Sequence, residues 1–392
     1  MKIGIFTDSY HPYTSGVVRS IETFSKELTE MGHEIYIFAP SYPKYKNERD
    51  GSVFRFVSIP TPTNSDFALA LPFSLRLRRV VRRLNLDVIH VQSPFLLGSL
   101  GARCARRLGI PLVFTFHTMY EKYVHYVPFA QTITSEITRT VCREFSNKCN
   151  MVIVPTMIVK EYLDEIGVQS PVRSVPTGID IDVYSKGDPN WLREKFNIGP
   201  EKKVLIFVGR LGQEKNVNFL LESFATIAET NPDTILVLVG EGPERKDLEH
   251  ESELMGIRDR LIFTGTLSKE EVASAYCGSD IFVFASVTET QGLVVGEAKA
   301  AGLPAVAVRA YGVSEMVEDK VDGFLTELNQ SEFTGKINLL LNNDELRATM
   351  SKNARKNAEK MSSRNAALRL LEIYNESIQN KESKTPFFAY KK

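Results

Sequence analysis

Cysteine is scarce in this chain. The four present, Cys104, Cys142, Cys149 and Cys277, form no Cys-x-x-Cys pair, so neither a zinc site nor a disulfide framework is indicated and a reducing compartment fits. No apolar run approaches the roughly 18 residues that a spanning helix needs. The chain opens on a strand at Lys2 with no charged n-region or cleavage site, so a cytoplasmic protein is expected. Charge of one sign is also missing: 48 basic residues stand against 48 acidic ones, and no nucleic-acid partner is expected. No internal repeat at solenoid spacing occurs.

The cancellation of charge hides an asymmetry. Residues 1–185 hold 21 Lys and Arg against 17 Asp and Glu, and the remainder holds 27 against 31. At 392 residues the chain has ample length for two cores. Apolar strands alternate with helices: Lys2 to Thr7, a helix from Val18 to Met31, Glu34 to Ala39, Val53 to Ile59, Val88 to Val91, Leu112 to Phe116 and Met151 to Pro155. A second series starts at Val204 and continues through Ile235 to Val239, Leu261 to Phe263, Ile281 to Phe284 and Ala305 to Val308. Each series predicts a doubly wound parallel sheet, an α/β fold. The polar stretch Tyr184 to Asn190 predicts the linker, and the helices Asp344 to Lys360 and Asn365 to Gln379 close the chain. The expected division is 1–185, 186–363, a closing helix at 364–380 and a loose tail at 381–392.

Two segments carry chemistry. In Ser286 to Val308, Glu289 and Glu297 bracket a glycine-containing turn that follows the buried strand ending at Phe284. The turn therefore lies at the carboxyl end of a parallel strand, where open α/β sheets hold ligands. Gly292, Leu293 and Val294 present backbone N–H groups at a helix start, suited to phosphate or sugar oxygens. Taken alone, Glu-x7-Glu is a loose pattern, because a glutamate near a helix start also simply favours the macrodipole. The second segment, Gly209-Arg210-Leu-Gly-Gln-Glu-Lys215, places two cations at another strand-to-helix junction, an arrangement suited to a diphosphate.

These residues resemble those of the family 4 glycosyltransferases, and the resemblance spans nearly the whole chain. Gly4-Ile-Phe-Thr-Asp-Ser-Tyr-His-Pro with Ser15-Gly16-Val17, Thr115-Phe-His117-Thr, Val175-Pro-Thr-Gly-Ile-Asp180 and Gly209-Arg210 with Lys215 come in the family's order. Val239-Gly-Glu-Gly, Phe263-Thr-Gly-Thr-Leu267 and the Glu289/Glu297 segment follow. The stretch from His117 to Tyr126 and Thr288-Glu-Thr-Gln-Gly-Leu look like the bacterial members that glucosylate diacylglycerol. The resemblance implies the GT-B architecture, two Rossmann-like domains facing a central cleft, with the last helix crossing back to the first domain. It implies a retaining, metal-independent hexosyl transfer.

By the same resemblance, Arg210 and Lys215 neutralise the donor diphosphate, Glu297 holds the ribose and backbone near Leu267 reads the base. Glu289 and the amides of Gly292 and Leu293 hold the sugar. Gly16 approaches the leaving phosphate, and His117 reaches the transferring sugar to position it and stabilise charge. His117 at the end of an apolar strand also fits a histidine that only caps a core. Many members have two glycines at Ser15-Gly16 and Gly-Phe-Gly at Thr290-Gln291-Gly292, so this chain departs from the family pattern at both places. Asp180-Ile-Asp182 has the form of a metal-binding pair but sits in the linker. Gly240-Glu-Gly242 lacks the third glycine of a dinucleotide fingerprint.

For the acceptor the clue is Ser74 to Leu84, with Arg76, Arg78, Arg79, Arg82 and Arg83 opposite an apolar side, preceded by Phe67 to Phe73. A basic amphipathic helix suits an anionic membrane surface, and a solvated face on an ordinary helix is the plain alternative. The expected activity is glucosyl transfer from a nucleotide sugar, UDP-glucose, to 1,2-diacylglycerol by an enzyme peripheral on the inner membrane face. Another sugar or acceptor, a two-carboxylate glycosidase or epimerase, and a membrane-binding protein without turnover are the competing readings.

Overall fold

The computed structural model describes residues 1–42, 45, 51–61, 64–73, 77–119 and 131–384. Contacts divide the chain into two units, one of residues 1–178 with 363–392 and the other of 179–362. The first crossing thus precedes the boundary expected at 185/186. Ile179 already belongs to the second core, its backbone N–H donating to Met361 O at 2.8 Å. The expected linker packs as well: Tyr184 is buried, and a Cβ on Gly187 would stand 2.4 Å from Ala273 backbone atoms. The tail beyond residue 384 lies outside the described residues.

The strands of the first unit are β1 (Lys2–Phe6), β2 (Glu34–Pro40), β3 (Val53–Phe56), β4 (Ser58–Thr61), β5 (Asn64–Ala70), β6 (Val88–Val91), β7 (Leu112–Thr115), β8 (Met151–Val154) and β9 (Val172–Ser174). Seven of them form one parallel sheet in the order β3-β2-β1-β6-β7-β8-β9. The run Val53 to Ile59 is not one strand. It breaks at the exposed Val57, after which β4 leaves the sheet and pairs antiparallel with β5.

The second unit contains β10 (Lys203–Val208), β11 (Thr234–Val239), β12 (Leu261–Gly265), β13 (Ile281–Phe284), β14 (Ala305–Val308) and β15 (Gly323–Thr326). They lie parallel in the order β12-β11-β10-β13-β14-β15. This is the doubly wound order 3-2-1-4-5-6, with its switch point between β10 and β13. The strand β15 lies beyond those expected from the sequence.

Helices cover both faces of such sheets, so their central strands read as unbroken apolar runs. β6, β7, β8, β11, β13 and β14 are buried at every position. His90, within β6, is tolerated because both ring nitrogens are satisfied. Nδ1 lies 2.7 Å from Tyr374 Oη and Nε2 lies 2.7 Å from Thr115 Oγ1. Tyr374 comes from the closing helix Ser363–Lys384, which packs Ala366, Ala367, Leu370 and Ile373 into the first core.

The second core contains one buried ion pair. Lys299, on the helix Leu293–Ala301, lies 2.6 Å from Asp322 Oδ2 and donates to Met316 O at 2.7 Å. Asp322 also accepts from Glu318 N and Asn357 Nδ2, at 2.9 and 2.8 Å. Removing one partner of such a pair strands a buried charge, so Asp322→Ala should cost about 3–5 kcal/mol. Asp322→Leu with Lys299→Met should lose clearly less; urea denaturation of parent, single and double variants checks the order.

Candidate functional site

The site is built where the second sheet reverses its winding. Connections from β10 and β13 leave toward opposite faces, and both loops open at the carboxyl edge. The loop after β10 runs through Gly209 and the exposed Arg210 into a 3-10 turn, Gln213–Lys215, and then Asn216 at φ +53° starts the helix Val217–Thr230. The loop after β13 carries Glu289. Lys215 Nζ donates to Glu289 Oε1, so the two loops are joined across the switch point by an ion pair. Its members are 16% and 18% exposed, which makes it far less hydrated than a surface pair.

Glycines bring the surrounding backbone close. A Cβ on Gly240 would stand 2.0 Å from Gly209 O, and one on Gly242 would stand 2.1 Å from Leu211 O. The Gly240-Glu-Gly242 segment therefore packs the loop after β11 against the loop after β10. Gly292 sits at φ +82°, a left-handed conformation that favours glycine, and leads into the helix Leu293–Ala301. Gly312 donates its N–H to Glu289 O at 2.9 Å, fixing the turn from behind.

Glu297 lies in that helix and is buried. The hydroxyl of the fully buried Tyr276 stands 3.5 Å from Glu297 Oε2 and 3.3 Å from Val294 O, orienting the carboxylate. The sequence alone marks Tyr276 only as a core aromatic. Leu267 is half-buried against the same core, just before the Ser268/Glu271 capping box that starts the helix Lys269–Cys277. Asp180 caps the short helix after it and pairs with Lys269 at 3.0 Å, and Asp182 pairs with Lys186 at 2.7 Å. Both aspartates thus have local work. Among the described residues no group of three metal-ligating side chains occurs.

The first unit has its own switch point, between β1 and β6. In the loop after β1, Asp8 accepts from Ser93 Oγ and, at 2.7 Å, from Leu97 N, tying together the loops that follow β1 and β6. Burial raises its pKa. Gly16 opens the helix Gly16–Glu30 behind the N-cap Ser15, and a Cβ there would meet no heavy atom within 4 Å. His117 follows β7, with Nε2 2.7 Å from Gln92 Oε1. Residues 120–126 of the lipid-enzyme motif lie outside the described residues, as does Arg76.

The arginine helix is described from Leu77 to Leu84. Leu77 and Val81 are buried, whereas Arg78, Arg79, Arg82 and Arg83 are exposed. It touches the helix Leu96–Leu108, which exposes Arg103, Arg106 and Arg107. None of these seven arginines forms a salt bridge among the described residues. On the β4–β5 hairpin, Ile59 and Leu69 are register partners, and Leu71 N donates to Val57 O. Val57, Ile59, Leu69 and Leu71 therefore share one face, and all four are exposed. Phe73, just past the hairpin, is 75% exposed.

A paired cation and carboxylate thus meet at a doubly wound switch point, beside a helix start and a second oriented carboxylate, at the sheet edge where open α/β folds hold their ligands. Residues 14–183 match the model described as Glycosyltransferase Family 4, and residues 190–357 match that of Glycosyl transferases group 1. An alpha-monoglucosyldiacylglycerol synthase from Streptococcus pneumoniae is 34% identical over 83% of this chain and 75% of its own. A protein of the same name from Acholeplasma laidlawii is 32% identical over 90% of this chain and 92% of its own. HepE from Anabaena, solved in complex with UDP-glucose, shares the fold with a TM-score of 0.77 at 20% identity, covering 96% of this chain and 100% of its own. The chain belongs to glycosyltransferase family 4 and has its two parallel-sheet units. It is a hexosyltransferase.

Burial pushes the His117 pKa down to about 4 and the His90 pKa to about 3, so both rings are neutral at pH 7. Both folded values lie below the ordinary 6.5, so between about pH 4 and 6.5 the unfolded chain binds protons that the folded chain refuses. Their stability contribution is complete above pH 6.5 and should be lost as pH falls, by about 1.4 kcal/mol per pH unit for each ring at most. His117→Asn should reduce that slope in denaturation curves taken from pH 7.5 to 5, and an unchanged slope would count against a neutral ring with a lowered pKa.

Proposed function

We propose that this enzyme transfers glucose from UDP-glucose to the free hydroxyl of 1,2-diacylglycerol, with retention at the anomeric carbon and without a metal, on the cytoplasmic face of the membrane. The joining of Lys215, Glu289 and the helix of Glu297 at one sheet edge carries this reading, and the names of the two relatives above support the lipid acceptor.

Arg210 and Lys215 take the diphosphate, with Gly16 beside its leaving phosphate. The oriented Glu297 accepts from the ribose, and backbone at Leu267 meets the base. Glu289 and the N–H groups of Gly292 and Leu293 hold the glucose hydroxyls. The bond between the anomeric carbon and the diphosphate oxygen breaks as the acceptor oxygen bonds to that carbon on the same face. The hydroxyl proton passes to the departing phosphate oxygen. Stabilising the charge on that oxygen is the protein's largest task, and two cations supply the positive charge that a metal supplies elsewhere. His117, a neutral ring, positions the sugar by hydrogen bonding.

The membrane reading rests on the exposed arginines of two touching helices and the apolar face of the hairpin. An uncharged diacylglycerol must be collected from a bilayer, and arginines near anionic headgroups each contribute about 1 kcal/mol. Among the described residues no helix is long and apolar enough to cross a membrane.

The test is transfer of label from UDP-glucose into chloroform-extractable product, using mixed micelles of dioleoylglycerol with and without phosphatidylglycerol, with EDTA present. Labelled lipid that increases with phosphatidylglycerol is expected; no transfer to lipid, or abolition by EDTA, contradicts the acceptor or the metal independence. Lys215→Ala and Glu297→Ala should each lose about 10²- to 10³-fold in rate while staying folded, the scale of one lost oxyanion donor. Neutralising Arg78, Arg79, Arg82 and Arg83 together should weaken sedimentation with anionic vesicles and leave neutral vesicles unaffected.

A further inference from the structure

Lys215 and Glu289 carry opposite duties in the reading above, which this inference deepens and on which it rests. Lys215 attracts the diphosphate, yet it is held in an ion pair by Glu289, a carboxylate that repels any phosphate coming to the same ammonium. The two side chains come from loops that follow different strands and are mostly shielded from water, so the repulsion is only partly screened. A carboxylate placed here therefore weakens the hold on every nucleoside diphosphate, unless the ligand offers something in return.

Donor and product differ in what they offer. The sugar nucleotide has both phosphates esterified, whereas the released nucleoside diphosphate has a free terminal phosphate whose second ionisation falls near pH 6, so at pH 7.5 it carries about one more negative charge. The donor also presents sugar hydroxyls, which donate to a carboxylate in charge-assisted hydrogen bonds. The product has no sugar to present.

We propose that Glu289 discriminates between donor and product, giving up Lys215 to a diphosphate that brings hydroxyls and disfavouring the bare diphosphate left after transfer. Glu289 is then a specificity residue of the turnover cycle as well as a sugar contact, and it speeds product release. A purely structural tie between the two loops would affect both ligands alike.

The experiment is titration calorimetry of UDP and UDP-glucose against parent, Glu289→Gln and Lys215→Ala proteins at pH 7.5, with thermal melts confirming the fold and Glu289→Ala as a second variant should the glutamine form not fold. Glu289→Gln should bind UDP about tenfold tighter, the scale of one removed charge in a partly shielded site, while UDP-glucose binds equally or more weakly. In turnover assays the inhibition constant of UDP should fall together with kcat. Lys215→Ala should weaken both ligands. Unchanged or weaker UDP binding by Glu289→Gln, or equal tightening of both ligands, overturns the discriminator and leaves the donor site standing, provided Lys215→Ala weakens binding. Parent-like UDP binding by Lys215→Ala, or a parent that binds neither UDP nor UDP-glucose, overturns the donor-site reading and the discriminator with it.

Discussion

The reversal of strand order between β10 and β13 is the constraint on which the second unit depends. Because their connections run to opposite faces, a gap opens at the carboxyl edge, and the two loops beside it converge there. The buried strands admit almost no polar side chains, so charge collects at the edge, where Lys215 and Glu289 meet. The glycine-mediated contact of the β10 and β11 loops and the buried Lys299–Asp322 pair then hold the walls of the gap in place. Fixing the helix Leu293–Ala301 from within the core fixes Glu297 and the N–H groups at its start.

The first unit repeats the topology with different chemistry at the corresponding edge. Its loops are tied by Asp8 to Ser93 and Leu97 N, and by His117 to Gln92. The first edge is organised by one carboxylate that accepts hydrogen bonds, whereas the second pairs a cation with a carboxylate. Under the proposed function the cation of the second edge serves the diphosphate, and His117 at the first edge serves the sugar.

Much of this was legible from residues alone. Runs such as Val204 to Val208 and Ile281 to Phe284 are apolar throughout because both faces are covered, and that pattern marks a parallel sheet without ambiguity. Lys215 and Glu289 could be named from their places after those strands, but their pairing could not, because strand order is a long-range property. Val53 to Ile59 reads as one strand since nothing local marks Val57 as the point where the chain turns away. Gly323-Phe-Leu-Thr is too short, after an acidic stretch, to stand out as β15. Tyr276 and Asp322 act through partners 21 and 23 residues away, Glu297 and Lys299, which no spacing rule connects. Arg103, Arg106 and Arg107 gain meaning only because their helix touches the arginine helix beside it.

The central claim is that one sheet edge of the second unit holds a nucleotide sugar through charges drawn from both of its loops. A crystal structure of the enzyme with UDP-glucose tests it most directly. The diphosphate should lie against Arg210 and Lys215, the ribose hydroxyls within hydrogen-bond distance of Glu297, and the glucose against Glu289. Nucleotide density away from the β10/β13 edge, or a ribose that does not touch Glu297, would contradict the account.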